Sequence, residues 1–491
     1  MQAEKRLHPL SILFRVAAQI RWFAVPGILV LVTAGAVGWG WEVWLMPLAI
    51  PFAIISVVEY FSFRYRYEAN EMVIRTGFLF RNERHVPYGR IQNLHAVQNV
   101  FHRLWNVVEV RVETGGADEP EATLSVLPVA AYEEMRRRVF GAGAAPAEET
   151  APDNTLLHLP APELMLAGFI RNRGFVVMAA AAGLLWELGV LDWMLGESVS
   201  IRSLTKGVVK ALLGRGGLPL EAIALAAGAL VAVALVSRLI SMVWTLVQLH
   251  GFRLTLDGED LRAEYGLLTR VATTISLRRI QALTVFQGML HRLTGRAAVR
   301  VSLAGGGGEE GEEKTQREWL APILPREKLP RLLSAVIGEN LDGLVWWGVH
   351  PRAFRREVKG WIFVAVLISV PFALLLKVWV LLLLAALLAW AWIAARKTIE
   401  HTGWAVSGGA VFFRSGWLWR SLTAVRFTQV QAVTVSESPF DRRTGMASLR
   451  VDTAGAGELS HRVDIPYLPR QTARELCDLL ASQAGRSAFR W

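Results

Sequence analysis

Cysteine is almost absent: Cys477 stands alone in 491 residues. That excludes a disulfide framework and a cysteine-based metal site, and Cys477 itself reads as a half-buried apolar residue on the last helix. Catalytic signatures are missing too. The ten histidines form neither H-x-x-x-H nor H-E-x-x-H, and no G-x-S-x-G elbow occurs. The glycine-rich run "AGGGGEEGEEKTQRE" at 304–318 lacks a following Gly-Lys-Ser/Thr and reads as a flexible, acidic hairpin loop rather than a phosphate cradle. Charged residues make up only 19% of the chain, with acids outnumbered 42 to 53 by Lys and Arg. No zinc finger, RNA-recognition aromatic motif or recognition helix accompanies this basic balance. We therefore expect no catalytic residue, metal, cofactor or nucleic-acid partner.

Apolar residues are plentiful, at 53% with a mean hydropathy of +0.34. Six runs approach the roughly 20 residues that span a hydrocarbon core, paired as about 22–40 with 43–63, 174–195 with 220–245, and 361–376 with 378–395. The first follows Lys5, Arg6, Arg15 and Arg21 and holds Ala34 and Ala36, as a cleaved signal would. Its resumption through Trp41 and Trp44 marks a retained helix instead. If both ends of every hairpin face the cytoplasm, only Arg202, Lys206, Lys210, Arg215 and Lys377 among 53 basic residues fall in the outer connections. The net charge of +11 then favours anionic inner-leaflet lipids. The 19 tryptophans suit a chain rich in membrane interface.

Three polar blocks follow the hairpins. Each opens with alternating strand-like segments, "RYRYEANEMVIRTG", "GFRLTLDGEDLRAEYG" and "GWAVSGGAVFFRSG", with turns at Asn70, Asp257 to Gly258 and Gly408 to Gly409. Each closes with a helix after Pro128, Pro325 or Pro469 that stops at Gly141, Gly338 or Gly485. Counted from Gly77, Gly266 and Gly416, the blocks align without gaps: Arg90, Arg279 and Gln429; then Gln92, Gln281 and Gln431; then Arg103, Arg292 and Arg442; then Asn106, Gly295 and Gly445. Such agreement predicts a threefold repeat. The units are 1–63, N-terminal segment and hairpin 1; 64–141, module one; 142–173, linker and helix entrance; 174–250, hairpin 2; 251–338, module two; 339–395, linker and hairpin 3; and 396–491, module three. "GAGAAPAEETAPDN" at 141–154 reads as a disordered part of the first linker.

In the third copy Ser438, Pro439 and Gly445 frame one or two helical turns as N-cap, first-turn proline and left-handed stop. Arg103, Arg292 and Arg442 would sit on that short helix, beside His102, His291 or Asp441. A guanidinium there can grip a lipid head group or a partner carboxylate with paired hydrogen bonds; alternatively it ties the helix to neighbouring backbone carbonyls. The aligned glutamines alternate with Ile91, Ile280 and Val430, which favours a structural role at a strand edge. His8, His158 and His350 each precede a hairpin and read as local structure at helix entrances, with an interfacial switch as the alternative.

The hairpin pairs, the "RIQ" strand, the "FHRLWN" turn, "VVEVRVET" and the proline-started last helix resemble the bacterial pleckstrin-homology (PH) membrane proteins of the YdbS/YdbT type over nearly the whole chain. The resemblance implies PH-like blocks, each a strongly bent antiparallel sheet or barrel closed by a C-terminal helix, acting as binding and assembly platforms without catalytic activity. Gln429 and Asp441 depart from the pattern of the first two copies. The fold expected is a polytopic α-helical membrane protein, six spans in three hairpins, carrying three α+β PH-like domains. Candidate partner- or lipid-binding residues are Arg90, Arg103, Arg279, Arg292 and Arg442. The expected partners are membrane lipids and a protein or second copy of the chain, at the bacterial inner membrane with termini and modules cytoplasmic.

Two charges fall within apolar runs, Glu187 and Arg238. At membrane depth an ionisable group is a functional candidate. Interfacial positions would explain both; a meeting inside a bundle would support a transport route. In the outer connection 196–219, Ile201, Leu204, Val208 and Leu212 recur at helical spacing and suggest a helix at the outer lipid boundary or a packed lid.

Overall fold

In the computed structural model the described residues are 4–14, 57–58, 60–78, 80–114, 122–140, 154–172, a few positions up to 183, 220–303, 319–339, 341, 343–376, 380–453 and 463–486. Most of hairpin 1, the first helix of hairpin 2, Glu187, the outer connection 196–219, the linker 141–153 and the loop 304–318 lie outside them.

The repeat is visible strand by strand. Module one holds β1 (Arg64–Tyr67), β2 (Glu71–Thr76), β3 (Asn82–Pro87), β4 (Ile91–Gln98), helix α1 (Val100–Leu104), β5 (Val107–Thr114), β6 (Ala122–Pro128) and α2 (Val129–Phe140). Module two has β7 (Thr155–His158), α3 (Ala161–Arg171), α4 (Leu220–Leu249), β8 (Arg253–Asp257), β9 (Asp260–Tyr265), β10 (Arg270–Ser276), β11 (Ile280–Gln287), α5 (Met289–Leu293), β12 (Arg296–Leu303), β13 (Trp319–Pro325) and α6 (Leu329–Ile337). Module three repeats the set as β14 (Trp347–Gly348), α7 (Ala353–Leu376), α8 (Val380–His401), β15 (Gly403–Val406), β16 (Ala410–Ser415), β17 (Arg420–Arg426), β18 (Val430–Ser436), α9 (Pro439–Thr444), β19 (Met446–Thr453), β20 (Val463–Pro469) and α10 (Arg470–Arg486).

Local chemistry explains why the copies superpose in sequence. Gly77, Gly266 and Gly416 have φ of +93°, +115° and +88°, and a Cβ on any of them would stand 1.9 Å from the carbonyl oxygen three residues on; only glycine closes that turn. The aligned glutamines sit where the ladder slips: register shifts fall between Ile91 and Asn93, Ile280 and Ala282, and Val430 and Ala432. Gln92, Gln281 and Gln431 are thus bulge residues that bend the sheet. The third short helix is capped at Ser438 as expected, in a reciprocal box with Asp441, and the first has an unforeseen box of Asn99 with His102; the second, after Gly288, has no side-chain cap. Gly338 and Gly445 take left-handed stops, whereas Gly485 lies inside α10 rather than ending it.

The modules are not separate beads. Strands run β6-β5-β4-β10-β9-β8-β7 in one seven-stranded antiparallel sheet and β13-β12-β11-β17-β16-β15-β14 in another, flanked by three-stranded sheets β1-β2-β3 and β18-β19-β20. Each module therefore shares its second sheet with the first sheet of the next. The joins are β4 with β10 and β11 with β17. Burial follows: the middle core runs from Leu254 and Ile323 into Phe412 and Ala424 of module three, while modules one and three keep cores around Leu94 and Leu449.

A second departure concerns where modules begin. β7 and β14, in segments read as linkers, pair with β8 and β15 across the apolar segments that separate them in sequence, and Lys5 bridges Tyr65 in the same way. In sequence, each apolar segment thus follows the first paired segment of its module. His8 Nδ1 accepts from the amide of Leu10 and His350 Nδ1 from that of Arg352, a local role at the helix entrances.

Among the described residues two helices are long and apolar enough to cross a membrane, Leu230–Leu249 and Val380–His401. Helix α7 packs beside α8 in antiparallel sense, with Phe354 edge-on to Trp392. Leu230, Leu239, Phe363 and Leu382 are all more than 60% exposed. A broad exposed apolar face on a long helix suits lipid, not water.

Candidate functional site: the arginine-lined junction of modules two and three

Each junction is locked by the arginine of a short helix. Arg103 Nη1 on α1 donates to the carbonyl of Leu267 at 3.1 Å, and Arg292 Nη1 on α5 donates to that of Trp417 at 2.9 Å. Leu267 and Trp417 each follow the obligatory turn glycine. Both arginines thus take the carbonyl-tying role, and the carbonyl belongs to the next module. Arg442, their counterpart on α9, is exposed and its side chain makes no hydrogen bond or ion pair among the described residues, acting only at longer range on Glu437.

The other expected site residues lie apart. Arg279 is half-buried against Asp260, and burial holds its guanidinium below its usual range while Asp260 opposes the shift. Arg90 ends the 3-10 turn Tyr88–Arg90. Gln429, standing where the first copies have arginine, accepts from Gln281 Nε2 at 2.7 Å and donates to the carbonyl of Arg278 at 2.9 Å. The replacement is therefore functional in packing: an amide gives and receives across the junction. Arg238 donates to the carbonyls of Phe169 and Ile170 at the C-terminal end of α3 and lies over the Phe169 ring at 4.9 Å. That end of a helix attracts cations.

Around Arg292 the junction opens into a cleft of about 510 Å³, lined by Gln287, Met289, Arg292, Leu293, Gly295, Arg296, Arg326, Trp417, Leu418 and Arg420. Four guanidiniums face it and no carboxylate lines it. Arg296 is compensated from outside by a paired bond to Glu163 at 2.6 and 2.9 Å. Arg326 is exposed and makes no side-chain hydrogen bond or ion pair among the described residues. Burial, then repulsion from Arg292, Arg326 and Arg414, pushes the Arg420 guanidinium below its usual range. Arg292, Arg326 and Arg420 have no carboxylate partner among the described residues, and a phosphate or carboxylate could meet such guanidiniums through bidentate bonds.

The cleft lies beside membrane helices. Arg420 contacts His401 at the end of α8, and Trp390 packs on Trp417 at 5.2 Å. Of its apolar lining, Leu293 is 80% exposed, and Trp419, beside Gly288, is 75% exposed. Sequence reading singled out Arg292 but missed Arg296, Arg326 and Arg420. A signal for one was present: Arg81, Arg270 and Arg420 stand four residues after the aligned glycines. The module junction that brings them together was not readable. Among the described residues no cluster of His, Cys, Asp and Glu could hold a metal.

Comparison with known proteins agrees with the repeat. Residues 12–142, 207–338 and 362–484 each match the bacterial PH domain. The chain is 22% identical over 480 residues to UPF0699 transmembrane protein YdbT of Bacillus subtilis (strain 168), covering 90% of this chain and 91% of that protein. No solved structure matches. With three matched repeats spanning most of its length, two long apolar helices within them and a transmembrane relative, the chain belongs to the bacterial PH domain family as a membrane-associated, YdbT-like protein.

Proposed function

We propose that the protein is a non-enzymatic, multi-pass scaffold of the bacterial inner membrane, with six helices in three hairpins and three PH-like modules held at the cytoplasmic face. There it gathers anionic lipid through the arginine-lined cleft and presents a rigid platform to a protein partner, in support of envelope integrity or resistance to membrane-active agents. The continuous sheets carry this reading: joining modules by backbone ladders makes one stiff body, which a platform needs and independent binding domains do not. Strand pairing across each insertion also supports it. β7 and β8 are neighbours, as a chain that leaves and returns at one membrane face requires. Arg238, engaged with helix carbonyls, is accounted for without the ion route that a transporter would need.

The test uses the full chain in nanodiscs of phosphatidylcholine with or without phosphatidylglycerol, and native mass spectrometry of retained lipid. Arg326→Ala, which removes a side chain without internal partners, should reduce retained phosphatidylglycerol about fivefold, as expected for roughly 1 kcal/mol per basic residue near an anionic surface. Equal retention by folded wild type and variant would overturn the assignment of the cleft.

A further inference from the structure

Each internal junction uses three parts. The leading edge of one module (β4, β11) receives a strand of the next (β10, β17). A side-chain hydrogen bond crosses at one register position, His95 to Thr273 at 3.0 Å and Thr284 to Thr423 at 3.3 Å. The short-helix arginine clasps the turn behind the incoming strand. Module three carries the same three parts with no fourth module to use them. No described strand pairs with the outer edge of β18, and its Gln431, Ala432, Thr434 and Ser436 are exposed. Thr434 occupies the position of His95 and Thr284 yet makes no side-chain hydrogen bond among the described residues, and Arg442 is the spare clasp. At the other end β3 is the edge equivalent of β10 and β17, behind the same glycine turn. Open edges of this kind are templates for pairing.

We propose that β18 of one copy pairs antiparallel with β3 of a second copy, so that the protein assembles head to tail through a third junction of the type it builds twice internally. Carrying over the internal registers sets Asn82 opposite Ser436, Arg84 opposite Thr434 and Arg81 opposite Glu437. The last pair sets Arg81 against Glu437, whose carboxylate is already paired with Arg470, where the internal junctions set Arg270 against Gln98 and Arg420 against Gln287. Arg442 would clasp the carbonyl of Phe78, which follows Gly77 as Leu267 and Trp417 follow their glycines. β3 is more charged than β10 or β17, but Glu83 and His85 are matched within their own sheet by Arg75 and Glu71, so they do not bar an approach. Arg84 in place of a threonine makes this junction weaker than the internal ones, and hence reversible. The two edges differ, so the contact is heterologous and grows into a ring or a filament. The inference goes beyond the scaffold reading and stands whether or not the cleft binds lipid.

The experiment uses the full chain in native membranes with Cys477→Ser to remove its only thiol. Copies carrying Asn82→Cys are co-expressed with copies carrying Ser436→Cys and mildly oxidised, because directly opposed strand residues lie within disulfide reach. A dimer should form only when both are present, and chains bearing both changes should give a ladder. Arg84→Cys with Thr434→Cys should crosslink similarly. Asn82→Cys with Thr434→Cys, two residues out of register, should yield at least about tenfold less. Arg442→Ala, remote from the thiols, should lower the in-register yield severalfold. No in-register excess in chains that retain their native chromatographic profile would overturn the proposal, as would equal crosslinking by Ser436→Cys alone or its capture of another polypeptide in place of β3.

Discussion

Two glycines of one module separate the cost of backbone conformation from the cost of space. Gly258, in the β8–β9 turn, has φ +64° and open space around a built Cβ, whereas Gly266 has φ +115° and a Cβ position 1.9 Å from the carbonyl oxygen of Thr269. Gly258→Ala should cost about 1–2 kcal/mol, the left-handed penalty for an L-residue. Gly266→Ala adds more. Its backbone strain is about 1–3 kcal/mol, and relieving the overlap moves the turn by about 1 Å against a minimum tolerated contact of 3.0 Å. That displacement breaks the bonds from Gly266 N to His250 O at 2.8 Å and from Leu267 N to Val247 O at 3.0 Å, each worth about 1 kcal/mol. The sum is roughly 3–5 kcal/mol. Amide hydrogen exchange of detergent-solubilised protein reads it directly. Amides at 267–270 should exchange at least about a hundredfold faster in Gly266→Ala and only about tenfold faster in Gly258→Ala, at 1.4 kcal/mol per decade. Indistinguishable exchange in the two variants would refute the role assigned to the glycine turn.

Two further outcomes follow from the junctions. Burial, reinforced by the charge of Arg171, holds the His291 imidazole below its ordinary range; the unfolded chain takes up that proton at higher pH, so the stability it contributes is present above the ordinary imidazole range and lost as pH falls below it. His291→Gln should flatten part of that loss in denaturant titrations at pH 7 and 5, and an unchanged pH slope would count against it. Glu163→Gln should cost only about 1 kcal/mol, since the pair with Arg296 is partly exposed at 27% and 19%, yet raise phosphatidylglycerol retention by freeing a cleft cation; lowered retention would contradict the electrostatic account.

The strands, their glycine turns, the capped short helices and the proline-led closing helices were all legible, because each rests on contacts a few residues apart. Gln92, Gln281 and Gln431 announced a repeated position, and its identity as a bulge needed the partner strand. Arg103 and Arg292 were found by alignment, but their acceptors Leu267 and Trp417 lie 164 and 125 residues away. Spacing within a module cannot show which edge pairs with the next module. The shared sheets, and with them the grouping of Arg296, Arg326 and Arg420, are products of that long-range choice. β7 and β14 escaped notice for a related reason: isolated, they are four and two residues long, and only β8 and β15 make strands of them.

The split of each module by its own insertion imposes an order on biosynthesis. β7 leaves the ribosome about a hundred residues before its neighbour β8, so that sheet stays incomplete until the intervening chain has been synthesised. The edge of β4 likewise waits for β10. Neither of the first two modules can therefore complete its second sheet before strands of the next have been made.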